Sequence, residues 1–219
     1  MKHKLLIFDM DGTILDTLED LEAATNYALK AHGFPERTLE EVRAFVGNGT
    51  LLLIERACPS GTDEHKIRAV YETFTPYYNE HCCECTKPYS GIINAIEEIR
   101  SMGIKTAVIS NKPDAAVHEL CKDWFPNLFD FEIGARENVP NKPAPNSVNE
   151  IIARLSLKKD EVAYIGDSDV DVETALNAGI DCIGAEWGFR GREFLLQHGA
   201  KVTVKNAEEL LAYIRAENA

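Results

Sequence analysis

The stretch KLLIFDMDGT at positions 4–13 decides the fold, because an apolar run ends there abruptly in two carboxylates one residue apart. Leu5, Leu6, Ile7 and Phe8 show no alternation, the pattern of a central parallel strand covered on both faces. Asp9 and Asp11 then stand at the strand's carboxyl end, where open α/β sheets place their ligands, and Gly12 releases the chain into a turn. By themselves these residue types also describe an ordinary polar strand end.

Working outward, residues 15–32 put Leu18, Leu21, Thr25, Ala28 and Leu29 on one helical face, closed by Gly33 and Pro35. Thr38 with Glu41 makes a capping box opening a short helix through Val46, and Gly47-Asn48-Gly49 breaks it. Further helices are predicted over 50–57 and 62–80, with no strand pattern between Ile14 and Tyr89. A helical block of about 70 residues is far longer than an ordinary βα connection. It reads as an inserted subdomain, residues 15–85, within a core formed by 1–14 and 86–219.

Beyond Pro88 and Gly91 the alternation of helix and strand resumes. Strands are predicted over 104–110, 129–133, 162–165, 180–183 and 202–204, with helices between them and one at the end. The predicted fold class is α/β: a doubly wound parallel sheet, Rossmann-like, with an inserted α-helical subdomain. No internal repeat or low-complexity tract interrupts it.

Composition narrows the function. Apolar content of 45% and charged content of 27% in 219 residues are those of a globular chain with ample core. No apolar run approaches the roughly 20 residues that span a bilayer. The N-terminus enters a strand at once, without an apolar leader or cleavage site, so a cytoplasmic protein is expected. A net charge of −13 opposes nucleic acid as a partner, since phosphate backbones are bound by clustered Lys and Arg. It allows a small anion in a locally positive pocket. Six cysteines without a secretion signal are expected to be reduced thiols. The cluster His81, Cys82, Cys83, Cys85 lacks paired C-x-x-C spacing and a second ligand pair, which argues against structural zinc.

Three later stretches echo the first. The second core strand ends in Ser110-Asn111-Lys112-Pro113, where Ser110 or Asn111 caps a helix, binds an anion at its N-terminus, or does both. Asn141-Lys142-Pro143 sits in a loop stiffened by Pro140 and Pro143. The strand over 162–165 ends in Gly166-Asp167-Ser168-Asp169-Val170-Asp171. A calcium loop is excluded for this run, because the required Gly and Glu positions hold Val172 and Ala178.

In order and spacing, FDMDGT, VIS-NK, NKPAP and YIGDSDVD resemble the haloacid dehalogenase superfamily of phosphohydrolases, and the helical insertion is similar to that superfamily's cap. The resemblance covers nearly the whole chain and is strongest to the phosphoglycolate phosphatases, through the VGNG loop, the linker at 86–91 and the KPAP motif. Ser90 departs from it, at a position where similar proteins often have proline. The resemblance implies Mg²⁺ held by Asp9, the backbone carbonyl of Asp11 and Asp167, with Asp171 orienting the metal shell and Asp169 facing solvent. It implies Asp9 as the nucleophile forming an aspartyl-phosphate, Lys142 neutralising nucleophile and phosphate, and Ser110 with Asn111 binding phosphoryl oxygens.

That chemistry has a physical rationale. At about 4 Å, with an effective dielectric of about 20, each unit-charge repulsion between a phosphate dianion and a carboxylate costs about 4 kcal/mol, so cations are required. The resemblance gives Asp11 a different task, protonating the leaving alkoxide and later taking a proton from water. The expected substrate is a small phosphorylated metabolite, 2-phosphoglycolate first, met by a monomer or homodimer. Other small phosphoesters, a phosphosugar mutase and a non-catalytic phosphate-binding protein are the alternatives. Linkers near Asp16 and at 88–91 imply hinge closure of the cap, with Gly47, Asn48 and Gly49 as the segment reaching the leaving group.

Overall fold

The computed structural model describes residues 2–47 and 49–218. The chain runs β1 (Leu5–Phe8), β2 (Leu15–Asp16), α1 (Leu18–Ala31), α2 (Leu39–Phe45), α3 (Thr50–Ala57), α4 (Glu64–His81), β3 (Lys87–Pro88), α5 (Ile92–Ser101) and β4 (Lys105–Pro113). It continues through α6 (Asp114–Trp124), β5 (Phe131–Ala135), α7 (Asn146–Leu155), β6 (Val162–Gly166), α8 (Asp169–Ala178), β7 (Asp181–Ala185), α9 (Gly191–Gln197), β8 (Val202–Val204) and α10 (Ala207–Asn218). Two compact units result, one of Met1–Leu15 with Pro88–Ala219 and one of Asp16–Lys87.

In the first unit six parallel strands are ordered β5-β4-β1-β6-β7-β8. β1 pairs on both edges, Leu5 opposite Lys105 and Val162 and Phe8 opposite Val108 and Ile165, so its backbone is satisfied without solvent. Leu6 and Phe8 enter one core with Ile96, Ile99, Leu120 and Leu210, while Leu5 and Ile7 enter another with Val148, Ile151 and Ala175. Covered faces on both sides are why the run lacks alternation. Buried Tyr164 satisfies its hydroxyl by donating to the Ile109 carbonyl at 2.9 Å. The connection leaving β1 leads toward β4 and that leaving β6 toward β7, which makes their carboxyl ends the switch point of the sheet.

The second unit is helical. α1 buries Leu18, Leu21, Thr25, Ala28 and Leu29, the face expected from the sequence, and α4 buries Val70, Phe74 and Tyr78. The Thr38–Glu41 capping box opens α2.

Two expectations need correction. β2 and β3 are strands inside the region read as strand-free; each is two residues long and they pair with each other, too short for any periodicity to register. β4 extends to Pro113, which pairs with Ala135 after a register shift, and α6 starts only at Asp114. Ser110 and Asn111 therefore lie within the strand and cap no helix.

Candidate active site

The carboxyl ends of β1, β4 and β6, the segment between β5 and α7, and the first turn of α8 bring Asp9, Asp11, Ser110, Asn111, Lys142, Asp167 and Asp171 into one unit of the fold. Lys142 is the hub. Its Nζ lies 2.6 Å from Asp9 Oδ1 and 2.8 Å from Asp171 Oδ1, and all three side chains are buried. Asp171, on the first turn of α8, also accepts the Ser168 backbone N–H at 3.1 Å and its hydroxyl at 2.6 Å on Oδ2. Both its oxygens are thus occupied by donors. Asp167, just past β6, accepts Thr13 Oγ1 at 3.1 Å on Oδ1 and the Phe189 N–H at 2.7 Å on Oδ2.

Carboxylate oxygens of Asp9, Asp167 and Asp171 lie within 4.8 Å of one another. Three buried carboxylates around one ammonium leave two negative charges uncompensated. The titration shifts follow. Burial, then the charges of Asp171 and Asp167, hold Asp9 well above the ordinary carboxylate range against the pull of Lys142. Burial and Asp171 push Asp167 up to about 7. Burial alone would lower Lys142, but Asp171 and Asp9 outweigh it and hold the ammonium well above its ordinary value. A divalent cation supplies the missing two charges, and an all-oxygen donor set suits Mg²⁺. The residues therefore fit the metal implied by the motifs.

Asn111 also holds the backbone of Lys142. Its Oδ1 accepts the Lys142 N–H at 2.9 Å and its Nδ2 donates to the Lys142 carbonyl at 3.0 Å. This two-point clamp fixes the backbone that carries Lys142 and leaves one amide hydrogen of Asn111 uncommitted. Ser110, buried, accepts the Lys112 N–H at 3.1 Å on its hydroxyl oxygen, which keeps its own hydrogen for another acceptor. Asp169 is part-exposed, 3.9 Å from Arg190 Nε. Gly47 and Gly49 lie in the helical unit with φ of 128° and 89°, and Gly49 precedes α3; Asn48 lies outside the described residues.

Sequence reasoning missed Lys112 and the segment Trp187-Gly188-Phe189. The Lys112 side chain is only 3% exposed, with Nζ 3.1 Å from Asp11 Oδ1. Gly188 permits a close approach: a Cβ there would stand 2.3 Å from Asp167 Cβ and 2.4 Å from the Gly12 carbonyl. Gly12, with φ of 85°, faces Asp167 from the other side, where a Cβ would stand 2.4 Å from Oδ2. Trp187 Nε1 donates to the Thr13 carbonyl at 3.0 Å. The one signal for this segment was its place after another strand's carboxyl end.

Comparison with known proteins agrees with this geometry. Residues 6–185 match the family model of haloacid dehalogenase-like hydrolases, and the chain belongs to that family. The phosphoglycolate phosphatase of Rhodobacter capsulatus is 32% identical, with 90% of each chain covered. That of Pseudomonas putida is 30% identical over 97% of this chain and 78% of its own. A crystal structure from Lactobacillus delbrueckii subsp. bulgaricus, of a proposed phosphoglycolate phosphatase, superposes with a TM-score of 0.93 at 38% identity and covers 98% of this chain and 99% of its own. A proposed β-phosphoglucomutase from Thermotoga maritima gives 0.71 at 26% identity, covering 97% and 99%. The protein is thus an enzyme of the hydrolase class, similar to phosphatases.

Proposed function

We propose that this hydrolase cleaves small phosphomonoesters through an aspartyl-phosphate on Asp9, with 2-phosphoglycolate as the preferred substrate and glycolate and phosphate as products. The observation that carries the reading is the buried Asp9–Lys142–Asp171 triplet beside Asp167. Asp9, Asp167 and the backbone carbonyl of Asp11 would hold Mg²⁺, with Asp171 oriented behind them by Ser168 and Lys142. When bound, the ion neutralises carboxylate and phosphoryl charge and returns Asp9 to its ionised form.

The chain's own groups do the rest. Lys142 is fixed by the Asn111 clamp and holds one Asp9 oxygen at 2.6 Å, setting the carboxylate's direction of attack. The Ser110 hydroxyl donates to a phosphoryl oxygen. Asp11, held through Lys112, protonates the departing glycolate oxygen and then takes the proton of the water that hydrolyses the aspartyl-phosphate. In the helical unit, Gly47, Asn48 and Gly49 are the candidates for reading the substrate's leaving group. No helix of the described residues is long and apolar enough to cross a membrane, and six cysteines outside disulfides suit a reducing, cytoplasmic setting.

Similarity to a proposed β-phosphoglucomutase keeps phosphoryl transfer as the second reading. A phosphate-release panel with Mg²⁺ separates them, using 2-phosphoglycolate, glucose 1- and 6-phosphate, a nucleoside monophosphate and pyrophosphate. Fastest phosphate release from 2-phosphoglycolate is expected. Isomerised sugar phosphate without release would support the mutase, and no turnover on any ester would remove the proposal.

A further inference from the structure

We propose that Cys82 and Cys83 are a redox-modifiable dithiol, closed by hydrogen peroxide to a disulfide between chain neighbours and reopened by a small thiol. Their Sγ atoms lie 3.7 Å apart just past the end of α4, and neither is in a disulfide. Cys82 is part-exposed and Cys83 exposed, so a peroxide reaches both.

The other four cysteines are placed differently. Burial pushes the Cys58, Cys121 and Cys182 thiols up, which keeps them in the unreactive protonated form. Cys85 is exposed, but its hydrogen bond to Glu19 and the charge of Asp20 push its thiol up as well and tie it to those carboxylates. Cys82 and Cys83, by contrast, stand sulfur to sulfur where solvent reaches them.

One thiol gives up its proton and attacks an oxygen of hydrogen peroxide, the O–O bond breaks, and the departing hydroxide takes up that proton as water, leaving the sulfur as a sulfenic acid. The neighbouring thiol then displaces the hydroxyl from that sulfur as a second water. Two thiols and one peroxide become one disulfide and two waters, the sulfurs oxidised and the peroxide reduced. Adjacent Cα atoms stand about 3.8 Å apart across a trans peptide, short of the span of about 4.4–6.8 Å usual for disulfides. Such a bridge is strained and readily reduced, the behaviour of a reversible switch rather than a structural staple.

The strain falls on a defined anchor. The backbone N–H groups of Cys85 and Thr86 donate to Asp20 Oδ1 and Oδ2 at 2.9 and 2.8 Å, which fastens the exit of the helical unit to α1. His81 Nδ1 lies 2.7 Å from Glu84 across the same turn. Closing Cys82 onto Cys83 reshapes that turn and loosens the anchor.

The test treats the full chain with one equivalent of hydrogen peroxide, followed by alkylation, peptide mass spectrometry and amide hydrogen exchange. The peptide carrying Cys82 and Cys83 should lose two hydrogens and two alkylation sites, and regain them with dithiothreitol. Exchange at the Cys85 and Thr86 amides should accelerate about tenfold in the oxidised form and slow again on reduction. Cys85→Ser should oxidise like the parent, and Cys82→Ser should stop at a sulfenic acid on Cys83 that dimedone traps. A bridge to Cys85 or between chains, oxidation to sulfinic acid without a bridge, or unchanged exchange after bridging would overturn the proposal.

Discussion

Asp167→Asn tests the charge balance of the site. In the metal-free fold, burial and Asp171 raise Asp167 from the ordinary 3.8 to about 7. At about 1.36 kcal/mol per pH unit, holding it ionised costs the fold on the order of 4 kcal/mol above pH 7. The folded state keeps a proton that the unfolded chain has released, so metal-free stability falls as pH rises from about 4 to about 7. Asparagine removes that cost. It can still accept the Phe189 N–H and turn its amide toward the Thr13 hydroxyl, at a loss of about 1–3 kcal/mol for weaker bonds. The net gain, on the order of 2 kcal/mol, raises the metal-free melting temperature at pH 8 by about 4–8 °C for a chain of this size. Near pH 4 the gain disappears, because aspartic acid is itself protonated there. Added Mg²⁺ should stabilise the parent more at pH 8 than at pH 5, and the variant little at either. Thermal melts with and without Mg²⁺ across this range read all these effects. A variant less stable than the parent at pH 8 without metal would show that Thr13 and Phe189 already compensate the charge, and the reasoning fails.

Lys142→Met should cost about 3–5 kcal/mol at pH 8, because it strands the buried carboxylates of Asp9 and Asp171, and the loss should shrink in acid as Asp9 protonates; denaturant melts at two pH values check this. Gly188→Ala drives a Cβ into Asp167 and the Gly12 carbonyl, with an expected cost of about 1–3 kcal/mol and weaker Mg²⁺ binding by calorimetry. Asn48→Ala should lower kcat/KM for 2-phosphoglycolate more than for an aryl phosphate; equal losses would assign the loop to folding of the helical unit alone.

What was legible in the sequence was whatever local pattern controls. β1 and β6 show as unbroken apolar runs because both their faces are covered, and such runs end visibly at Asp9 and Asp167. The capping box at Thr38 lies within four residues and needs no tertiary partner. Lys112 was illegible because nothing nearby in sequence signals that a lysine in SNKP is buried; its partner Asp11 lies 101 residues away. The Asn111 clamp spans 31 residues and Gly188 meets Gly12 across the fold, so neither close approach leaves a local trace. The extension of β4 through Pro113 depends on pairing with β5, which overrides the proline's local preference for opening a helix.

The most direct test of the account is detection of the phosphoenzyme. Asp11→Asn keeps the nucleophile but lacks the base for hydrolysis, and an aryl phosphate has a leaving group that needs no proton, so the phosphorylated state should accumulate. Acid quenching of this variant with an aryl phosphate and Mg²⁺, followed by peptide mass spectrometry, should find one phosphoryl group on the peptide carrying Asp9, absent from the Asp9→Asn, Asp11→Asn double variant. A phosphoryl group on any other residue, or full phosphate release by the single variant Asp9→Asn, would contradict the assignment of Asp9 as nucleophile.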